Sequence, residues 1–132
     1  HYQEPIDGDL RVIVNQQILA DPDLNSLRLN LRELKRGHDD CAVIAPMVSG
    51  SFVLASGEMA TEIRKQHGKL AALDMEVYGF HRAAALYGNG VKAFAAKTVV
   101  DLADEEKSDS VHRDGAILSA RFVAKILLQA LN

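Results

Sequence analysis

The chain has 132 residues, of which 48% are hydrophobic, and its net charge at pH 7 is −3. This length predicts one domain, residues 1–132, and the hydrophobic content is ordinary for a globular protein with a real core. Acids and bases are interspersed, and no apolar run approaches the roughly 18 residues of a membrane helix, so we expect neither nucleic acid nor membrane as a partner. The single cysteine, Cys41, excludes an intramolecular disulfide and fits a reducing compartment, so we expect a cytoplasmic protein.

The first forty residues predict a loop, a strand and a helix, in that order. Residues 1–9 are polar and contain proline and glycine, which is typical of a loop. Residues 10–14 are mostly apolar and β-branched, which favours a strand. Asp21 can cap a helix and Pro22 is tolerated at the first helical position, so a helix is predicted from there to Gly37. Its apolar face would carry Leu24, Leu27, Leu31 and Leu34.

The stretch that follows predicts a buried strand, a turn rich in hydroxyl groups and a second helix. Residues 41–48 form a continuous apolar run between turn signals, as a strand does when both of its faces are covered. Ser49-Gly50-Ser51 breaks this run, and residues 52–54 predict a short extended piece. Residues 57–66 are predicted to be helical.

The last third of the chain predicts two more strands and two more helices. Residues 71–73 predict a short buried strand that ends at Asp74, and residues 76–87 predict an Ala-rich helix with a glycine after it. Residues 91–100 predict another buried strand, and after a polar loop residues 111–130 predict the final helix. Strands thus alternate with helices along the chain, which predicts an α/β layered fold with a mostly parallel sheet.

Three of the predicted strands end in polar residues, and these ends could form one binding cleft. They are Ser49-Gly50-Ser51, Asp74-Met75-Glu76 and residues 101–104. Because ligands of open α/β sheets bind outside the carboxyl ends of the strands, parallel pairing would bring all three to one edge. A carboxylate can accept hydrogen bonds from two adjacent hydroxyl groups, so Glu76 could bind a sugar diol.

Asp101 and Lys97 are the candidates for acid–base and charge chemistry at this edge. Asp101 follows an apolar strand, where partial desolvation would raise its pKa and allow it to protonate a leaving group. Lys97 lies four residues earlier and could balance a negative charge. The spacing also allows plainer roles, namely helix caps for Asp74 and Glu76, a solvated loop for the acids after position 100, and an edge lysine at position 97.

Three motifs of this chain occur together, in order, in one enzyme superfamily. They are Pro46-Met47-Val48-Ser49-Gly50, Leu73-Asp74-Met75-Glu76 and residues 97–104, and a helix over residues 111–131 follows them. With this order and spacing, residues 43–131 resemble the C-terminal part of the domain of purine nucleoside phosphorylases and methylthioadenosine/S-adenosylhomocysteine nucleosidases. The motifs resemble the family's Ser-Gly turn, its Met-Glu ribose motif and its strand that ends in an aspartate. The resemblance implies a three-layer αβα sandwich with a mixed, mostly parallel sheet.

The resemblance also implies roles for individual positions. Glu76 would hydrogen-bond the ribose hydroxyls, Met75 would pack beside the sugar, and Asp101 would help to protonate N7 of the departing purine. The substrate would be a purine nucleoside, with phosphate or water as co-substrate. The implied catalytic residue is Asp101, and the implied substrate-binding residues are Glu76, Met75, Val53, Leu54, Ser49 and Lys97.

The chain departs from the family at four positions and lacks what the family's first half supplies. Val53 replaces a base-stacking aromatic residue, and Val100 replaces a serine that supports the aspartate. Lys97 replaces an arginine, and Ser51 replaces an aspartate. Nothing before residue 40 resembles the family's Gly-rich loop, its phosphate-binding basic residues or its water-activating acid. We therefore expect an incomplete domain with little activity alone, whose exposed sheet edge and apolar surface would drive it to form a homo-oligomer, in the simplest case a dimer.

The sequence leaves three functions open. The first is N-glycosidic bond cleavage in a purine nucleoside, by a nucleosidase or a phosphorylase of which this chain is a part. The second is a nucleoside sensor with the same fold and no turnover, which the substitutions at Val53 and Val100 favour. The third is a structural or assembly domain whose carboxylates are only caps. The histidines and Cys41 show no metal-ligand spacing and no phosphate-binding loop is present, so neither a metal nor a cofactor is expected.

Overall fold

The computed structural model describes residues 4–34, 41–50, 72–100 and 109–132, together with Glu58, Thr61, Glu62 and Lys65. The helices bounded in this part of the chain are α1 (Gly8–Ala20), α2 (Val77–Tyr87) and α3 (Asp109–Ala130). The strands β1 (Met47–Ser49) and β2 (Ala72–Asp74) pair in parallel, and a 3₁₀ turn spans Asn25–Leu27. Within the described residues the fold is therefore α/β in the coarse sense, with helices and a two-stranded parallel sheet.

The chain folds into two compact units. The sheet unit comprises His1–Pro5, Ala45–Ala93 and Asp101–Lys107, and the helical unit comprises Ile6–Ile44, Phe94–Val100 and Ser108–Asn132. The two strands and α2 thus belong to the sheet unit, whereas α1 and α3 belong to the helical unit. Of the helices in the described part, none combines the length and the apolar character needed to cross a membrane.

Helix α1 occupies the segment for which the sequence predicts a strand, so the strand predicted over residues 10–14 is wrong. The Asp7 carboxylate caps this helix by accepting two N–H groups of its first turn, at 3.0 and 3.1 Å. Leu10, Val14 and Gln17 follow at helical spacing and are all buried. The cap and this buried face together outweigh the β-branched composition of the segment, because strand and helix propensities are weak beside burial.

The leucine-rich segment after α1 is not the predicted helix either, since only Asn25–Leu27 is helical and forms a 3₁₀ turn. Leu24 has a φ of 52°, a left-handed conformation that interrupts an α-helix. Asp21 accepts two N–H groups from the turn, at 2.9 and 3.1 Å, and so closes a compact loop. Leu24 and Leu31 are nevertheless buried, so the predicted apolar side chains reach the core from irregular backbone. The predicted end at Gly37 lies outside the described residues.

The core of the helical unit forms around α3, which confirms the helix predicted over residues 111–130. Leu118, Phe122 and Ile126 are spaced by about one turn on its inner face, and the Ile126 side chain is 0% exposed. They form one apolar cluster with Val14 of α1 and with the two buried leucines of the loop after it. Arg121 of α3 adds two hydrogen bonds to backbone carbonyls of that loop, at 2.9 and 2.8 Å. This one helix therefore holds both α1 and the irregular loop.

Residues 91–100 form no strand, so the buried strand predicted there is wrong. The backbone N–H of Thr98 donates to Ser119 Oγ on α3 at 2.9 Å, and the two hydroxyl oxygens are 2.8 Å apart. Gly115 permits this close approach, because a Cβ at that position would overlap the side chain of Val100. The backbone N–H of Thr98 thus bonds to a helix side chain where the sequence predicts a neighbouring strand.

The two strands of the sheet unit confirm the parallel pairing that the sequence predicts. Ser49 at the end of β1 lies opposite Asp74 at the end of β2. The strand predicted over residues 71–73 is confirmed by β2, whereas only the last residues of the strand predicted over 41–48 belong to β1. The four described residues between 58 and 65 are helical, as predicted for this part of the chain.

Helix α2 confirms the helix predicted over residues 76–87. It ends where Gly88 adopts a φ of 66°, and the N–H of that glycine donates to the Ala84 carbonyl at 3.2 Å. Val77, His81 and Ala84 are half-buried and share one side of the helix, which packs against β1. The start of α2 is thereby held close to the strand end that carries the predicted Ser-Gly turn.

Candidate functional site

Two of the three polar strand ends meet in the structure. The Ser49 hydroxyl donates to Asp74 Oδ1 at 2.5 Å, and the Gly50 N–H donates to the Asp74 carbonyl oxygen at 2.9 Å. The expectation that parallel pairing brings the first two ends together is therefore confirmed. The third end, which begins at Asp101, lies outside the described residues.

Asp74 is a helix cap, and it shares this role with Ser49. Asp74 Oδ2 accepts the N–H groups of Val77, at 2.8 Å, and Glu76, at 3.3 Å. Ser49 Oγ accepts the N–H of Tyr78 at 2.9 Å. Since the first N–H groups of a helix have no partner within the helix, these two side chains supply the acceptors that α2 needs. The capping role considered for Asp74 is confirmed.

Glu76 occupies the cap position of α2, but its side chain does not cap the helix. The side chain is exposed, and the main-chain carbonyl accepts the N–H of Phe80 at 3.0 Å. The capping role considered for Glu76 is therefore wrong, because Asp74 and Ser49 perform it. A carboxylate at this place is also favoured electrostatically, because the N-terminus of a helix carries partial positive charge.

Met75 joins β2 to α2 and is 44% exposed. It stands directly before Glu76, so an apolar side chain and a carboxylate lie next to each other on the surface of the sheet unit. Such a pair offers packing and hydrogen-bond acceptors to a ligand with one apolar and one hydroxylated side.

The hydroxyl of Ser49 is engaged on both sides, because it donates to one group and accepts from another. Its only hydrogen is used within the protein, so a ligand would meet the remaining lone pair of the oxygen. Ser49 can therefore contribute one further acceptor to a bound molecule, beside its contact with Asp74.

The other predicted site residues are Lys97 and three residues that the structure does not describe. Lys97 is exposed, lies in the irregular segment of the helical unit and has an interaction of its own. Val53, Leu54 and Asp101 lie outside the described residues, so their roles stay predictions. Among the described residues, no group of three or more His, Cys, Asp or Glu side chains is placed to hold a metal ion.

The bond between Ser49 and Asp74 is not among the features that the sequence predicts. Half of the signal was local, since an aspartate three residues before Val77 is well placed to cap a helix. The other half depends on the register of two strands that are 25 residues apart, which no local pattern encodes.

Neither a protein-family model, nor a curated protein, nor a solved structure matches the chain.

Proposed function

We propose that this chain forms part of an enzyme that cleaves the N-glycosidic bond of purine nucleosides, either as a nucleosidase or as a phosphorylase. The observation that carries the proposal is the exposed Glu76 carboxylate at the start of α2, beside Asp74, whose two carboxylate oxygens already accept hydrogen bonds within the protein. The three motifs in family order support the same conclusion. The fuller architecture that we propose is the three-layer αβα sandwich of that family.

In the proposed reaction, the carboxylate of Glu76 accepts hydrogen bonds from the ribose 2′- and 3′-hydroxyl groups. Met75 packs against the sugar, while Val53 and Leu54 line the base. Asp101 donates a proton to N7, and the electron pair of the broken bond between C1′ and N9 stays with the purine. An oxygen of phosphate or water then forms the new bond to C1′, and when water attacks, one of its protons passes to the solvent.

The charges of the residues involved suit this chemistry. An oxocarbenium-like transition state places positive charge on the ribose ring, and the carboxylate of Glu76 is a negative charge close to that ring. Lys97 is the candidate for balancing the anionic co-substrate or carboxylate. No cofactor is required, because proton transfer and bond exchange complete the reaction.

The test is release of free purine from adenosine by the protein that contains this chain. Glu76→Gln keeps the shape of the side chain but removes its charge, so we expect kcat/KM to fall about 10- to 100-fold, as for the loss of one charged hydrogen-bond partner. Glu33→Gln is the matched control, since Glu33 is also exposed but belongs to the helical unit. Equal turnover in the two variants would refute the role of Glu76.

The second candidate function is a nucleoside sensor that binds without turnover. It is favoured by Val100, which stands where the family has a supporting serine and whose side chain lies against Gly115 of α3. A valine packed in this way offers no hydrogen bond to Asp101. Calorimetry that detects adenosine binding while no purine is released would favour the sensor, whereas absence of both would favour an assembly domain.

We also propose that the protein forms a homodimer in the cytoplasm. Several leucines near the end of α3 are exposed, namely Leu127, Leu128 and Leu131, at 46, 68 and 84%. Exposed apolar side chains in such a cluster are typical of contact surfaces. The single cysteine, Cys41, allows no intramolecular disulfide, which fits a reducing compartment. Sedimentation velocity measures the predicted dimer, and a monomer at all concentrations would refute it.

A further inference from the structure

We propose that Ser49 and Asp74 are positioning residues, which together fix Glu76 at the start of α2 and so determine how well the ribose diol is recognised. The inference rests on the function proposed above, because it takes Glu76 as the ribose-binding residue. It goes beyond that function by assigning a role to a hydrogen-bonded pair that does not itself contact the reacting atoms.

Ser49 links the two strands to each other and to α2. The Ser49 hydroxyl donates to Asp74 Oδ1 at 2.5 Å and accepts the N–H of Tyr78 at 2.9 Å. One small side chain therefore joins the end of β1 to the end of β2 and to the first turn of α2. Since a hydroxyl has one hydrogen, this arrangement uses that hydrogen and one lone pair.

Asp74 holds the backbone of Glu76 through hydrogen bonds. Asp74 Oδ2 accepts the N–H of Glu76 itself, at 3.3 Å, and that of Val77, at 2.8 Å. Both oxygens of the carboxylate are engaged, and the bonds to an ionised acceptor are stronger than those to a neutral one. The backbone of Glu76 is thus held from its own N–H and from that of the following residue.

These hydrogen bonds fix the backbone of Glu76 but not its side chain. The Glu76 side chain makes no capping hydrogen bond and is exposed, so its own contacts do not fix its direction. The location of its Cα, set by the pair, then decides which positions the carboxylate reaches. Because recognition of two adjacent hydroxyls depends on placement to within a fraction of an ångström, loss of the pair should weaken this recognition.

The experiment compares adenosine with 2′-deoxyadenosine, by calorimetry, in the protein that contains this chain. Deoxyadenosine lacks one hydroxyl of the diol, so the ratio of the two affinities reports on ribose recognition. In folded Ser49→Ala we expect this ratio to fall about tenfold, the effect of one charged hydrogen bond. Asp74→Asn should lower the ratio similarly, because the NH₂ group that replaces one carboxylate oxygen cannot accept the hydrogen bonds that this oxygen accepts. Ser49→Thr keeps the hydroxyl and should keep the ratio.

The matched control is Ser26→Ala in the helical unit. Ser26 also donates its hydroxyl to an aspartate, Asp21, at 2.6 Å, and this pair also closes a helical turn. Ser26→Ala therefore removes the same kind of bond without touching the start of α2, and the affinity ratio should be unchanged. A purely structural role for the Ser49 pair would make the two alanine variants alike.

The outcomes separate this proposal from the function on which it rests. An unchanged ratio in folded Ser49→Ala and Asp74→Asn would overturn the positioning role and leave the nucleoside function intact. If the unsubstituted protein binds neither nucleoside, the proposed function is overturned, and the positioning role with it. If Ser49→Ala does not fold, Asp74→Asn and Ser49→Thr decide, because the ratio must fall in the first and persist in the second.

Discussion

Different kinds of contact stabilise the interiors of the two compact units. All the buried side chains that the structure describes belong to the helical unit, where Phe122 and Ile126 of α3 form the centre of the core. In the sheet unit no described residue is buried, and α2 exposes Phe80 and Leu86. The candidate site residues of the described chain lie mainly in the sheet unit. The described core and most of the described candidate site residues therefore belong to different units.

Among the described residues of the sheet unit, hydrogen bonds and an ion pair join the elements. Its strands and α2 are joined through Ser49 and Asp74, and Arg82 of α2 forms an ion pair with Glu4 at 3.0 Å. Such an ion pair contributes about 0–1 kcal/mol, whereas burial of one large apolar side chain contributes about 1.5–3 kcal/mol. We therefore expect the helical unit to contribute most of the free energy of unfolding. Three substitution experiments test this expectation.

The largest effect is expected at the centre of the helical core. Ile126→Ala removes a side chain that is 0% exposed, and the cavity should lower the free energy of unfolding by about 2–5 kcal/mol. Leu86→Ala in the sheet unit is the control, since Leu86 is 69% exposed and should change stability by roughly 0.5 kcal/mol or less. Urea titration followed by circular dichroism measures both. Similar losses in the two variants would break the comparison.

Two helical glycines give a second and smaller contrast. Gly115→Ala places a methyl group against Val100, so we expect a loss of about 1–3 kcal/mol from overpacking. At Gly79 in α2, nothing lies within 4 Å of an added Cβ, so Gly79→Ala should stabilise by about 0.5–1 kcal/mol through helix propensity. Thermal unfolding should show a lower melting temperature for Gly115→Ala and a higher one for Gly79→Ala. A gain at Gly115 would mean that α3 and residues 94–100 pack less closely than described.

The smallest expected effect is a dependence of stability on pH in the helical unit. The hydrogen bond from the Ser26 hydroxyl lowers the pKa of Asp21 below its ordinary 3.8, and backbone N–H groups and Lys125 act in the same direction. A lowered folded-state pKa stabilises the fold above 3.8, and this contribution is lost as the pH falls through the folded value. Asp21→Asn should therefore reduce stability at pH 7 and leave it unchanged in strong acid. If the free energy of unfolding depended on pH in the same way for Asp21→Asn and for the unsubstituted protein, this prediction would be contradicted.

The sequence predicted the region from β2 to the end of α2 well, because its signals are local. Asp74 can cap, residues 82–86 are good helix formers, and Gly88 ends the helix with a positive φ. The long helix α3 was also predictable, since an apolar pattern of many turns is hard to mistake for a strand. In the site, Glu76 stood out by its chemistry and by its place after a strand.

The sequence by itself determined which residues are apolar, where α2 and α3 lie, and that Ser49, Asp74 and Glu76 follow strands. Only the tertiary structure decided that residues 10–14 are helical, that Leu24 and Leu31 enter the core from irregular backbone, and that Thr98 and Val100 lie against α3. Short apolar segments are compatible with either a strand or a helix, so their conformation depends on the elements that pack against them. The bond between Ser49 and Asp74 was decided in the same way, because it exists only in the register of two paired strands.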